Sequence, residues 1–163
     1  MDEVLNPFLY EWIDEKHIDD NATLNPNIPV YVSVDFNINP LCALVIQQTS
    51  GGANVVDEIR IDKGSIEAFC DAVRALNIPI GLLRITGDAM GRGGTVQQRD
   101  NSSAYTMIKR LLHMNDSQVF DAKQVQCDAN GSIIKLNRRK LTERADFLDC
   151  FRYFVNAILK RYL

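Results

Sequence analysis

Histidine is scarce in this chain, with two among 163 residues, and cysteine is sparse and scattered. His17 and His113 have no partners at metal-ligand spacing, so each is expected to be a surface or packing residue. Cys42, Cys70, Cys127 and Cys150 form no C-x-x-C pair. That spacing argues against a structural zinc site and offers no disulfide framework; buried free thiols are expected. No apolar run approaches the roughly 18 residues of a membrane span. The acidic opening Met1-Asp2-Glu3 is unlike the basic start of a signal peptide, so a cytoplasmic protein without a membrane partner is expected. No G-x-x-x-x-G-K-[ST] occurs, and no ATP site is expected.

What remains is ordinary globular material. Apolar residues make up 46% and charged residues 24%, enough for a core in one domain with an arm. The net charge of −3 hides an asymmetry. Residues 1–108 carry seven basic and fifteen acidic side chains; residues 109–163 carry eleven and six. A base-rich half of this kind hints at a polyanion-facing surface, though charge alone also fits scattered solvated faces.

Residues 1–29, with Pro7, Pro26 and Pro29, read as an arm or linker, and the domain as 30–163. Val30–Val34 is a β-branched strand that delivers Asp35 at its C-terminal end. Leu41–Gln48 and Asn54–Ile61 follow across short turns, which predicts an antiparallel meander. Ser65 caps a predicted helix carrying Ile66, Phe69, Cys70, Val73 and Leu76 on one stripe. Ile80–Thr86 is a fourth strand running into Gly87 and Asp88; the intervening helix allows it to lie parallel to the first. Met90–Ser103 reads as a loop, Tyr105–Met114 as a helix and Val119–Asp121 as a fifth strand. Gln126–Lys140 reads as a polar stretch with a hairpin around Asn130-Gly131. A last helix is expected from about Leu141 to Tyr162, with an apolar stripe of Phe147, Leu148, Phe151, Phe154, Val155, Ile158, Leu159 and Tyr162. The order β-β-β-α-β-α-β-α describes an α/β fold: a mixed five-stranded sheet, three antiparallel strands and then parallel ones, flanked by helices.

Asp35 and Asp88 each end an apolar strand. On parallel neighbours their carboxylates project from one sheet edge about 5 Å apart, at the edge where open α/β sheets place ligands. Like charges that close need a cation, a shared proton or solvent between them. Asp146 and Asp149, spaced i, i+3, share a face of the last helix; a dipole role near its start is the plain alternative. Together the four acids form an all-oxygen set suited to Mg²⁺ or Mn²⁺, and two such ions about 4 Å apart would clamp a phosphodiester. Lys135, Arg138, Arg139, Lys140 and Arg144 form a basic stretch just ahead of the helix acids; a solvated face usually explains such a run, but beside a metal-ready acidic cluster contact with backbone phosphate is the better reading.

Three segments carry a resemblance. Val30-Tyr31-Val32-Ser33-Val34-Asp35-Phe36-Asn37 resembles the first acidic motif of large terminase subunits from tailed phages. Ile85-Thr86-Gly87-Asp88-Ala89-Met90-Gly91 resembles the second, and Asp146-Phe147-Leu148-Asp149-Cys150-Phe151-Arg152-Tyr153 the third. In the arm, Asn6-Pro7-Phe8 and Lys16-His17 look like the segment joining the terminase ATPase to its nuclease. The resemblance implies a ribonuclease H-like nuclease domain that cuts concatemeric double-stranded DNA during packaging with two Mg²⁺ or Mn²⁺ ions. Asp35, Asp88 and Asp149 would then be catalytic metal ligands, and Asp146, also a metal ligand, would stand where many members have His; the basic stretch, with Arg92 and Arg99 in the glycine-bearing loop, would position DNA phosphates with little sequence preference. It also implies the terminase ATPase domain, small terminase subunit and portal as partners; the ATPase motor is absent from this sequence, as in a fragment or isolated domain. Two other readings stay open: a Holliday-junction resolvase of the same fold, and a non-catalytic module that docks on DNA or portal.

Overall fold

The computed structural model describes residues 18–37, 39–50, 52–88, 103–121 and 146–158. The strands are β1 (Val30–Asp35), β2 (Leu41–Thr49), β3 (Gly52–Ile61), β4 (Leu83–Gly87) and β5 (Val119–Asp121). The helices are α1 (Ile66–Ala75), α2 (Ala104–Leu112) and α3 (Asp146–Ala157). The five strands form one sheet in the order β3-β2-β1-β4-β5. β1 pairs antiparallel with β2 and parallel with β4, which in turn pairs parallel with β5. The mixed sheet expected from the pattern is the sheet observed.

Side-chain alternation in the strands sorts the core into two layers. Val30, Val32 and Val34 of β1, with Ala43 and Val45 of β2, pack against Phe69 and Val73 of α1 and Tyr105 and Ile108 of α2. The other face of the same strands presents Tyr31, Cys42, Leu44 and Ile46 to Cys150, Tyr153, Phe154 and Ala157 of α3. Phe154 is fully buried and meets Tyr31 edge-on, ring centroids 5.4 Å apart. The sheet is therefore covered by α1 and α2 on one side and α3 on the other.

Several boundaries differ from those expected. β4 begins at Leu83, not Ile80, because Pro79–Leu82 closes as a turn: the Leu82 N–H donates to the Pro79 carbonyl (2.9 Å), and Ile80 is 47% exposed. β3 begins two residues early, at Gly52, which pairs with Thr49; an irregularity between Val45 and Ile46 absorbs the register shift. α2 spans Ala104–Leu112 rather than Tyr105–Met114. Ser103 caps it by accepting from the Thr106 N–H (3.2 Å), and His113 ends it with φ 55° in the left-handed region. His113 is thus a helix terminator. Ser65 caps α1 as expected, accepting from the Ala68 N–H at 3.2 Å. The predicted loop up to residue 102 and the predicted hairpin lie outside the described residues, as does the last helix before Asp146 and after Ile158.

Ahead of β1 the chain is fastened to the sheet. The buried Gln47 accepts from the Asn25 N–H (2.7 Å) and donates from Nε2 to the carbonyls of Asn25 (2.8 Å) and Ile28 (3.3 Å). Among the described residues no helix is long and apolar enough to cross a membrane.

Candidate active site

The parallel pairing of β1 with β4 runs through Val34 opposite Gly87; Asp35 is the next residue on β1, and Asp88 directly follows the end of β4. The approach is close because position 87 has no side chain. A Cβ there would run into the Val34 carbonyl and lie 2.8 Å from Val34 Cγ1. The Asp88 N–H points to that same carbonyl at 3.4 Å. Alternation puts Asp35 and Thr86 on the face that α3 covers, opposite the layer of Val34, and carries Asp88 to the same face.

Both strand ends are held. Asp35 is 5% exposed, and its Oδ2 accepts from the Asn37 amide at 2.6 Å. The Tyr105 hydroxyl of α2 donates to the Asp88 carbonyl (2.8 Å), while its ring meets Phe36 edge-on at 5.1 Å. One aromatic side chain therefore ties the residues that follow both strands. Thr86, buried beneath α3, has a hydroxyl with no hydrogen-bond partner among the described residues.

α3 docks over this edge through two buried bonds. Ser33 Oγ donates to the Cys150 carbonyl at 2.6 Å, and the Cys150 thiol donates to the Cys42 carbonyl at 3.2 Å. Cys42 is the residue paired with Asp35, so Cys150 is fixed beside the first acid. Burial pushes the Cys150 thiol well above its ordinary pKa, and the Asp35 charge adds to the rise. Asp149, one residue earlier and about one-third exposed, pairs with Arg152 Nη2 at 3.1 Å. The Arg152 guanidinium lies 5.5 Å from the centre of the Tyr153 ring.

Tyr153 reports the convergence of the acids. It is 4% exposed, and its phenol is pushed far up, first by burial and then by the charges of Asp35, Asp88 and Asp149, with Arg152 acting in the opposite direction. Charges felt by one buried hydroxyl belong to one region of the molecule. The three acids nevertheless do not close into a ligand cluster: among the described residues, no group of three His, Cys, Asp or Glu is arranged to hold a metal ion. Asp149 has a cationic partner of its own in Arg152.

Asp146 opens α3, but its side chain is not among those described. Arg92, Arg99, Lys135, Arg138, Arg139, Lys140 and Arg144 all lie outside the described residues. The sequence reading gave no role to Gly87, Ser33, Asn37, Arg152 or Tyr153. Ser33 carried a usable signal, as a polar residue inside the valine run of β1.

The fold is the ribonuclease H-like fold of phage large-terminase nuclease domains. The chain is similar to the nuclease domain of the g2p large terminase of bacteriophage SPP1, described with bound Mn: TM-score 0.50 at 16% identity, covering 83% of this chain and 87% of that one. It is also similar to the large terminase of a thermophilic bacteriophage. The ADP complex of that protein gives a TM-score of 0.53 at 16% identity, and another structure of it gives 0.51 at 14%. In both of these comparisons 91% of this chain is covered but only 44% of the thermophilic phage terminase, so the chain spans less than half of that protein. No protein-family model matches the sequence, and no curated protein matches it.

Proposed function

We propose that this chain is a divalent-metal-dependent DNA endonuclease of the terminase type, hydrolysing phosphodiesters in double-stranded DNA. The observation that carries the reading is the register of β1 with β4. It brings Asp35 and Asp88 to adjacent strand ends on the face over which α3 carries Asp149. The donor set fits a hard cation: these are carboxylate oxygens, and the orphan Thr86 hydroxyl adds another oxygen on the same face. The Mn described in the SPP1 domain favours Mn²⁺ or Mg²⁺.

Asp35, Asp88 and Asp149 would hold the ions, with Asp146 assisting. Two bound ions would supply a water of lowered pKa and a counter-charge for the leaving oxygen. The chain's own residues prepare the ligands. Asn37 fixes the rotation of the Asp35 carboxyl, Tyr105 anchors the backbone at Asp88, and Cys150 seats the helix that carries Asp149. Arg92, Arg99, Lys135, Arg138, Arg139, Lys140 and Arg144 would contact DNA phosphates, giving weak sequence preference. In this reading residues 1–29 are the arm from an ATPase domain and 30–163 the nuclease. The ATPase, the small terminase subunit and the portal are the partners, and the host cytoplasm is the setting.

The test is plasmid nicking in Mn²⁺ by the wild type and by Asp88→Ala. A loss of about a hundredfold or more is expected in the variant, in the range seen when charge stabilisation at a reacting centre is removed. Equal cleavage by both proteins would remove the role given to Asp88. Strong preference for four-way junctions over linear duplex would move the assignment to a resolvase. Absence of both cleavage and metal binding would leave a docking module.

A further inference from the structure

Arg152 holds Asp149 at 3.1 Å while its guanidinium lies 5.5 Å from the centre of the Tyr153 ring, and its Nε is buried without a partner among the described residues. Tyr153 in turn feels Asp35 and Asp88 as well as Asp149. Among the described residues, Arg152 therefore places a positive charge beside Asp149 and in the neighbourhood of Asp35 and Asp88.

We infer that Arg152 is a resident counter-charge of the acid site, a positioning residue that retains Asp149 in the metal-free protein and competes with a divalent cation for that carboxylate. The inference rests on the nuclease reading only in taking the site to bind such a cation. The ion must displace or share the Arg152 contact to engage Asp149, and it is repelled by the guanidinium whether or not the contact breaks. Both effects lower the site's own affinity for metal. Once Asp149 turns to the ion, the guanidinium loses its carboxylate, and a DNA phosphate is the acceptor whose paired oxygens suit it best. Arg152 thus links metal entry to substrate binding: the ion is held weakly by the protein alone and better when phosphate is there to take the arginine.

The experiment is calorimetric titration of Mn²⁺ into the wild type, Arg152→Gln, Arg152→Met and Arg152→Lys, without DNA and then with an uncleavable phosphorothioate duplex. Without DNA the two neutral variants should bind Mn²⁺ about tenfold more tightly, the size expected for removing one charge near a divalent ion at a partly exposed site. Arg152→Lys should stay near the wild type, because it keeps the charge. The duplex should tighten Mn²⁺ binding in the wild type and much less in the neutral variants. A merely structural role for Arg152 predicts the opposite sign, weaker Mn²⁺ binding on substitution. Unchanged or weaker binding in both neutral variants, or a shift in Arg152→Lys as large as in Arg152→Met, overturns the inference and leaves the nuclease reading standing. A wild type that binds no Mn²⁺ at all sinks that reading first and the inference with it. Arg152→Met keeps the aliphatic stem against Tyr153, so a result survives if the glutamine variant fails to fold.

Discussion

Gly87 meets Val34 so closely that the Val34 carbonyl occupies the space a side chain at position 87 would need. This approach sets the distance between β1 and β4 one residue before Asp35 and Asp88, so the spacing of the acids depends on a residue that contributes no chemistry.

Gly87→Ala tests that dependence. The added methyl must push β4 from β1 or bend the strand end, which should cost about 1–3 kcal/mol, as overpacking of a tight core does. Urea denaturation would measure the loss. Nicking should fall further than the folded fraction accounts for, because the displaced carboxylates are those of the site. A variant as stable and as active as the wild type would show that the contact relaxes at no cost.

Ser33→Ala removes the hydroxyl that donates to the Cys150 carbonyl in a fully buried setting. The expected cost is about 1 kcal/mol, the usual net value of such a bond. Because the bond joins β1 to α3, hydrogen exchange should rise in α3 and leave α1 unchanged. Uniform exchange across all three helices would argue that Ser33 has no special part in docking α3.

The thiols give a prediction in pH. Burial raises Cys70 from an ordinary 9.0 to about 11, an effect that the neighbouring Arg74 charge partly offsets. A group that loses its proton later when folded favours the folded state while both forms are protonated. Its contribution is therefore complete below pH 9 and drains away as pH climbs toward 11. Chemical denaturation between about pH 8 and 11 should show stability falling across that window, with a flatter profile in Cys70→Ala. At about pH 8, DTNB should leave Cys42, Cys70 and Cys150 unlabelled until the protein unfolds, since all three are fully buried. Peptide mapping assigns the labels and keeps Cys127 apart. Rapid labelling of Cys150 in the native state would contradict its bonded position under α3.

The parts of this architecture that could be read from the chain are those written in local alternation. Val30, Val32 and Val34 announce a strand with one wholly buried face, and the strand delivers Asp35 where expected. The start of β4 was not legible. Ile80 looks like strand, but Gly81 and Pro79 favour a turn, and the Gln118 amide holds the Ile80 carbonyl there at 2.7 Å. That contact spans 38 residues, and no local pattern contains it.

α3 shows the same limit at the site. Its apolar periodicity points to Phe154 and Ile158, which are buried, but also to Phe147, Phe151 and Val155, which are only partly buried. The covered face also includes Cys150, Tyr153 and Ala157, which the stripe left out. Small and amphipathic residues decide that face because Ser33 and Cys42 draw the helix down at Cys150. The Asp149–Arg152 pair was equally hidden, since an i, i+3 pair of this kind is usual on any solvated helix. Its neighbourhood, not its spacing, makes it part of the site.

The Gln47 clasp has a mechanical consequence. Tension drawn along the backbone ahead of Asn25 reaches β2 through the Gln47 side chain before it can draw β1 out from between β2 and β4. Three hydrogen bonds share that load, and β2 is gripped on both flanks by β1 and β3. A pull from that direction is thus shared between β2 and β1 instead of falling on the Asp35-bearing strand alone.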